Sequence, residues 1–407
     1  MSLLEVENLR TYFFTTEGIV QAVDGVSFEV DRGESLGIVG ESGAGKSVAV
    51  KSIPGLIRHP GRIVDGTIRY KGQDLTELSE TELREQIRGN EIAIVFQDSM
   101  SALDPVFTVG SQIQEVIVEN TDRNKQEARE RAIELLDDVG IPDPDQRVDE
   151  YPHQYSGGMQ QRAMIAMALA CDPSLIIADE PTTALDVTIQ AGILDLFDEI
   201  MEKHDTSIVY VTHDLGVVRE VCDRVSVMYL GKMVESARYD ELYRNPKHPY
   251  TQSLLNSVVT PDETLDELDP IGGTMPSAIS PPSGCRFRTR CPVAIDECSR
   301  IAPPQYAVEP GEHDAIDGRK TDDAIGGGET DDAIGGRGAL DGIEPSETGR
   351  VATEHTVACL LYDDAIVEDE PALHEAEGHA GSDDGNVQTD GGTDEDTTNA
   401  NTGSDDE

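Results

Sequence analysis

The sequence predicts an α/β fold with a largely buried sheet from Leu3 to about Leu230, a helical insert within it and a different kind of C-terminal region. Three observations predict this. Short apolar strands alternate with amphipathic helical stretches, a glycine-rich loop joins one such strand to a helix, and beyond Asn245 that alternation stops.

Taken in order, Met1 to Leu9 alternates as a strand does, and Ser35 to Val39 is a short apolar strand. A helix is expected to begin at Lys46, directly after the glycines. Residues 108–170 read as mainly helical: Ala128, Ala132, Leu135, Leu136 and Val139 share one face of a helix over Glu127 to Val139. Ser174 to Ala178 and Ser207 to Val211 read as further buried strands. The run Asn245 to Tyr250 breaks the pattern, a short helix is expected over Thr251 to Val259, and Pro, Gly and Cys then cluster up to Pro304. Residues 321–336 carry a doubled acidic unit. Calcium-binding nonapeptide arrays need more copies, and Glu329 breaks their pattern, so a disordered acidic insert is expected. Residues 363–407 contain no Lys or Arg and read as a solvated, unfolded tail.

The chain has 407 residues, with 80 Asp and Glu against 31 Lys and Arg, a formal charge of −49. Both halves are acidic: residues 1–250 hold 44 acids and 23 bases, the remainder 36 and 8. Such a charge opposes nonspecific binding to nucleic acid. With only 8 Lys against 23 Arg, the balance points to solubility in a very salty cytoplasm, where repulsion between like charges is screened; a plain acidic protein with an acidic tail is the alternative. The start lacks a basic region followed by an apolar stretch, and the longest apolar run, Ala163 to Cys171, is far short of the roughly 20 residues that cross a bilayer. A cytoplasmic chain is expected, with any membrane link made through a partner.

Chemistry concentrates at two places. Gly40-Glu41-Ser42-Gly43-Ala44-Gly45-Lys46-Ser47 fits the phosphate-loop pattern between a strand and a helix. Its glycines let consecutive N–H groups face a β-phosphate, Lys46 neutralises β and γ oxygens, and the Ser47 hydroxyl suits Mg²⁺. At the end of a second strand, Asp179 and Glu180 are costly unless they meet a cation, which suits Asp179 to Mg²⁺ and Glu180 to an attacking water. Between them, Ser156-Gly157-Gly158-Met159-Gln160 opens an apolar helix. Its bare N–H groups and the Ser156 hydroxyl can bind a phosphate, although alone this is an ordinary Ser-capped helix.

Together these segments resemble the nucleotide-binding subunits of ABC transporters, in which Ser-Gly-Gly-[Met/Gln]-Gln is the family signature. Gln97 in Ile94 to Asp98 resembles the family's Q-loop, Ala184-Leu185-Asp186 its D-loop and His213 its switch histidine. Phe13 stands where an adenine-stacking aromatic is expected, Tyr12 being weaker, and Tyr155 departs from the usual Leu. The resemblance implies a P-loop NTPase (RecA-like) core with an antiparallel β subdomain and an α-helical subdomain, a Cys-containing C-terminal extension and an acidic tail. The implied boundaries are 1–240 for the nucleotide-binding domain, with its helical part about 100–165, 241–310 for the extension, 311–350 for the insert, 351–362 for the extension's end and 363–407 for the tail. It assigns ATP contacts to Phe13, Gly40, Glu41, Ser42, Gly43, Ala44, Gly45, Lys46, Ser47, Val48, Ser156, Gly157, Gly158, Gln160 and Asp186. Catalysis falls to Glu180, His213 and Gln97, and Mg²⁺ to Ser47, Gln97 and Asp179. Two such subunits would sandwich ATP head to tail.

The segments Tyr151 to Gln154, Ala178 to Thr188, Asn245 to Thr251 and Gly284 to Cys298 are similar to the oligopeptide, dipeptide and nickel importer ATPases. That likeness implies a second ATPase subunit, identical or distinct, two membrane permease subunits and an extracellular solute-binding protein. It places the chain peripherally on the cytoplasmic face of the membrane. The rival is a soluble single-cassette ATPase not coupled to transport; a soluble ABC protein acting on ribosomes or DNA would usually carry two cassettes in one chain, and the single phosphate loop and the negative charge oppose it. Cys285, Cys291 and Cys298 are spaced C-x5-C-x6-C, with Cys359 beyond the insert. Zinc favours tighter pairs, a reducing cytoplasm disfavours disulfides, and spacing alone leaves them unligated. The resemblance implies a [4Fe–4S] cluster on these four thiols. Cys171 and Cys222 read as core.

Overall fold

The structure, a computed structural model, describes residues 2–96, 102–182, 186–257, 272–308 and 355–363. The expected acidic insert, its doubled unit and all of the tail after Asp363 lie outside the described residues, as do Gln97, Ala184 and Leu185.

In chain order the strands are β1 (Ser2–Thr15), β2 (Gly18–Asp31), β3 (Ser35–Val39), β4 (Gly61–Tyr70), β5 (Gln73–Asp74), β6 (Ile92–Val95), β7 (Leu175–Asp179), β8 (Ser207–Thr212), β9 (Arg224–Tyr229), β10 (Lys232–Arg238), β11 (Tyr306–Val308) and β12 (His355–Val357). The main helices are α1 (Lys46–Ser52), α2 (Val109–Asn120), α3 (Lys125–Asp138), α4 (Gly157–Ala168) and α5 (Val187–His204). Two sheets result, one of four antiparallel strands in the order β2-β1-β4-β5 and one of eight in the order β11-β12-β10-β9-β3-β8-β7-β6. The alternation at the start becomes β1, but its period slips between Val6 and Leu9. Asn8 takes a left-handed φ of 50° there, which returns Leu9 and Thr11 to the buried face.

Within the larger sheet, β6, β7, β8, β3 and β9 are parallel neighbours, and β3, β7, β8 and β9 are buried at every residue. That is why they read as continuous apolar runs: helices and the antiparallel sheet leave neither face to water. The loops leaving β3, β7 and β8 carry Gly40, Glu180 and His213, so the carboxyl edge of adjacent parallel strands gathers the predicted chemistry. The helical insert holds α2, α3 and α4, packed through Ile113, Ile117, Ala128, Ala132, Leu135, Leu136 and Ile165. A capping box of Asn124 and Glu127 starts α3 two residues before the expected Glu127, and Val139 caps its end.

The region beyond Asn245 continues the sheet. The expected helix starts at Pro249 and runs to Leu255, because the His248 side chain accepts the Tyr250 N–H and caps it. Burial holds His248 neutral, its pKa pushed down to about 4, which leaves Nδ1 able to accept. β12 pairs with β10 through Glu235 and Val357, and β11 pairs with β12. Fully buried Glu235 accepts the N–H groups of Lys247 and His248 at 2.7 and 2.8 Å and lies 2.7 Å from His355 Nε2. One carboxylate therefore ties β10 to both sequence-distant pieces of the extension. Glu235→Ala strips an acceptor from three buried groups and is expected to cost about 3 kcal/mol of folding stability. Urea denaturation measures this; a loss below about 1 kcal/mol would show that water substitutes for the carboxylate.

Candidate functional site

The loop between β3 and α1 is built around glycines that nothing else can replace. A Cβ on Gly40 would stand 2.1 Å from the Met228 carbonyl oxygen, and one on Gly45, at φ 104°, 2.1 Å from that of Ala22. Lys46 opens α1 and is buried, its ammonium folded back to donate to the carbonyls of Gly40 at 2.7 Å and Glu41 at 3.2 Å. Burial pulls its pKa down, against the upward pull of Glu180, Asp179 and Glu41. A cation so poorly hydrated gains most from an anion entering the loop, which is the chemistry a polyphosphate offers.

At the next residue, the Ser47 hydroxyl donates to Asp179 Oδ1 at 2.7 Å. Asp179 ends β7 with no exposed surface, and its Oδ2 makes no hydrogen bond although the Lys51 ammonium stands 2.8 Å away. A hydroxyl beside a buried carboxylate whose second oxygen meets only a lysine ammonium is a hard-oxygen donor set that fits Mg²⁺. Lys51 was not foreseen as part of this site. Its place four residues after Ser47 on a helix is the signal, since such residues share a face.

Glu180 follows at φ 49°, a left-handed backbone uncommon for a residue with a side chain. Its N–H is anchored to the Val211 carbonyl at 2.9 Å, which fixes this conformation against β8. The carboxylate is thereby turned toward both Lys46, 3.9 Å from Oε1, and His213, whose Nδ1 is 3.5 Å from Oε2. The His213 ring is mostly exposed, open to a ligand, whereas Glu180 is sheltered. Backbone strain of this kind gathers where a side chain must be aimed.

The start of α4 makes a second, separate surface. The Ser156 side chain accepts the Met159 N–H at 3.3 Å and so caps the helix, leaving its hydroxyl hydrogen to donate elsewhere. Gly157 faces open space, but Gly158 is there also for packing, since a Cβ would come within 2.9 Å of Ile189. Gln160 turns inward. Its side chain is buried and its amide donates to the carbonyls of Pro152 and Tyr155, so it braces the approach to α4. Asp186 caps α5 by accepting the Ile189 N–H at 3.0 Å. Phe13 covers Gly61, where a Cβ would meet its ring at 2.6 Å, and Tyr12 is engaged by Asp24 at 2.8 Å. Ala44 and Val48 pack against the core beneath the loop.

The four C-terminal cysteines are unpaired, Cys298 and Cys359 buried and Cys285 and Cys291 partly so. The chain brings Cys285 and Cys298 together, the Cys285 N–H donating to the Cys298 carbonyl at 2.9 Å. Burial pushes the Cys285, Cys291 and Cys359 thiols up, Cys291 to about 12. Among the described residues, however, no three His, Cys, Asp or Glu side chains stand in an arrangement that could hold a metal ion. Cys222 is core and Cys171 is half-buried against it.

Comparison with known proteins agrees with this geometry. The family described as ABC transporter matches residues 23–183, and that described as Oligopeptide/dipeptide transporter, C-terminal region, matches residues 234–298. The chain is 51% identical over 298 residues to the oligopeptide transport ATP-binding protein AppD of Bacillus subtilis, covering 73% of this chain and 90% of the relative. It is 46% identical over 321 residues to the dipeptide transport ATP-binding protein DppD of Escherichia coli, covering 79% and 96%. Among solved structures it is similar to the dimeric post-hydrolysis state of the ATP-binding cassette MJ0796 bound to ADP and Pi. There the TM-score is 0.52 at 29% identity, over 58% of this chain and 98% of the cassette. Among the described residues no helix is long and apolar enough to cross a membrane.

Proposed function

Because the chain belongs to the ABC transporter ATP-binding subunits, in their oligopeptide and dipeptide branch, we propose how its residues divide the work of hydrolysing ATP to power peptide uptake. The observation that carries the reading is the convergence of Lys46, Ser47, Asp179, Glu180 and His213 at the carboxyl edge of three adjacent parallel strands. Loop amides and Lys46 bind the phosphates; Glu180 holds and deprotonates the attacking water; His213 meets the terminal phosphate. Ser47 and Asp179, with Gln97, would hold Mg²⁺, which when bound neutralises charge on the phosphate oxygens. Ser156 to Gly158 of a second ATPase subunit completes the site from the other side, so neither half-site turns over alone. Phe13 stacks on adenine.

Two permease subunits supply the membrane path and an extracellular binding protein supplies the peptide, which keeps this chain peripheral on the cytoplasmic face. A matched transporter-specific C-terminal region argues against an ATPase uncoupled from transport. Co-expression with the permease is expected to carry the chain into the membrane fraction, and the reconstituted assembly is expected to take up peptide only with ATP and Mg²⁺. Sedimentation with ribosomes instead, or uptake indifferent to ATP, would contradict the reading.

Two further properties belong to the same reading. The four thiols match in number and chemistry the ligands of a [4Fe–4S] cluster although the described residues hold them in no metal-binding arrangement, and anaerobically purified protein is expected to hold about four iron and four sulfide per chain if the cluster gathers them. Iron-free protein with native activity removes the cluster. The charge of −49 is read as adaptation to high salt, so the melting temperature is expected to rise steadily from 0.2 to about 3 M KCl as screening tightens. A fall over that range would make this a plain acidic protein with an acidic tail.

A further inference from the structure

The phosphate loop is gripped by the C-terminal extension at Glu41. Arg290 forks onto its carboxylate, with Nη1 to Oε2 at 2.6 Å and Nη2 to Oε1 at 3.0 Å. The arginine is itself fixed: its side chain is 5% exposed, Nε donates to the Gly272 carbonyl at 2.8 Å, and the guanidinium lies 5.8 Å from the centre of the Tyr229 ring. The same glutamate is held a second time, through its backbone, because the Glu41 N–H donates to the Tyr250 hydroxyl at 2.9 Å. Tyr229, Tyr250 and Phe287 pack ring against ring beneath these contacts, with centroids 4.7 to 5.3 Å apart, so the anchor is part of a solid aromatic block. Met275, also from the extension, reaches to 3.8 Å from where a Cβ on Gly43 would stand.

A carboxylate in a loop whose purpose is to bind a polyanion is a liability unless its charge is cancelled and its position held away from the phosphates. A bidentate arginine does both, and it does so rigidly, since the planar fork fixes direction as well as distance. We propose that Arg290 is a positioning residue for ATP binding: through Glu41 it neutralises the phosphate loop and sets the direction of its amides. The extension is then a working part of the nucleotide site, although it lies 249 residues along the chain from Glu41. Arg290 sits between Cys285 and Cys291, so the thiol-bearing loop and the phosphate loop share one ion pair.

The proposal rests on the ATPase reading, and steady-state hydrolysis by the assembled transporter separates the two. Arg290→Ala is expected to raise KM for ATP about tenfold or more, with kcat within about threefold, because ground-state phosphate binding is what it disturbs. Adding Glu41→Gln to Arg290→Ala removes the uncancelled carboxylate and is expected to bring KM part of the way back. An extension that merely holds the fold would lower active-site concentration and kcat instead, with no recovery from the second change. If Arg290→Ala does not fold, Arg290→Lys carries the test, keeping the charge and losing the fork, and is expected to raise KM with kcat unchanged. A KM within twofold of the parent in whichever of these variants folds, or a double variant no better than Arg290→Ala, overturns the proposal while leaving ATP hydrolysis intact. Absence of hydrolysis in the parent would instead strike the ATPase reading.

Discussion

Glu180→Gln is expected to bind MgATP with a Kd within about threefold of the parent and to lose turnover by a factor of about 10² to 10⁴, the usual worth of a positioned general base. The substitution keeps shape and hydrogen-bonding reach while removing the ability to accept a proton. The surroundings make that the decisive property. Glu180 is set at φ 49° by its backbone bond to Val211, with His213 3.5 Å from one carboxylate oxygen and Lys46 3.9 Å from the other. A water placed against that carboxylate would be flanked by the groups that meet the terminal phosphate, so loss of the base stops the chemistry while the binding contacts of the loop remain. Single-turnover hydrolysis beside equilibrium nucleotide binding separates the two effects. Hydrolysis within tenfold of the parent would take the base role from Glu180.

Lys46→Ala is expected to act one step earlier. Its ammonium is the only cation that the loop folds inward onto the Gly40 and Glu41 carbonyls among the described residues, and its burial makes it poorly hydrated. Charge-assisted hydrogen bonds of this kind contribute about 1.5–3 kcal/mol, so ATP affinity is expected to weaken by about 10- to 150-fold. Folding is expected to suffer less, because the two carbonyls released can turn to water that replaces the side chain. Isothermal titration with a non-hydrolysable analogue measures the affinity, and urea denaturation the stability. Weakened affinity with unchanged stability supports the assignment; equal affinity would mean that the loop amides suffice without the lysine.

How much of this was legible in the sequence follows from the range of the contacts involved. The loop from Gly40 to Ser47 was readable because a strand, a glycine turn and a helix start are consecutive, and local chemistry specifies all three. The buried strands ending at Asp179 and Thr212 were readable because a parallel sheet covered on both faces demands unbroken apolar runs. The placement of β11 and β12 was not, since three-residue strands carry no periodicity and β12 joins β10 only through pairing across more than a hundred residues. The inward turn of Gln160 was hidden for a related reason: the pattern around a helix start says which residues are near the amides, not which side chains turn onto Pro152 and Tyr155. The Arg290 to Glu41 fork had no signal at all, as either residue alone is an ordinary surface charge. Lys51, by contrast, was recoverable from helical spacing after Ser47.

The account depends on the loop of one subunit and the α4 start of the other enclosing the same nucleotide. The most direct measurement places a photo-reactive amino acid at Gly157, which faces open space, in the assembled transporter carrying Glu180→Gln. With MgATP the cross-linked peptide is expected to be the phosphate loop of the second ATPase subunit, and the yield is expected to collapse without nucleotide. Cross-links confined to the labelled chain, or a yield that ignores ATP, would contradict it.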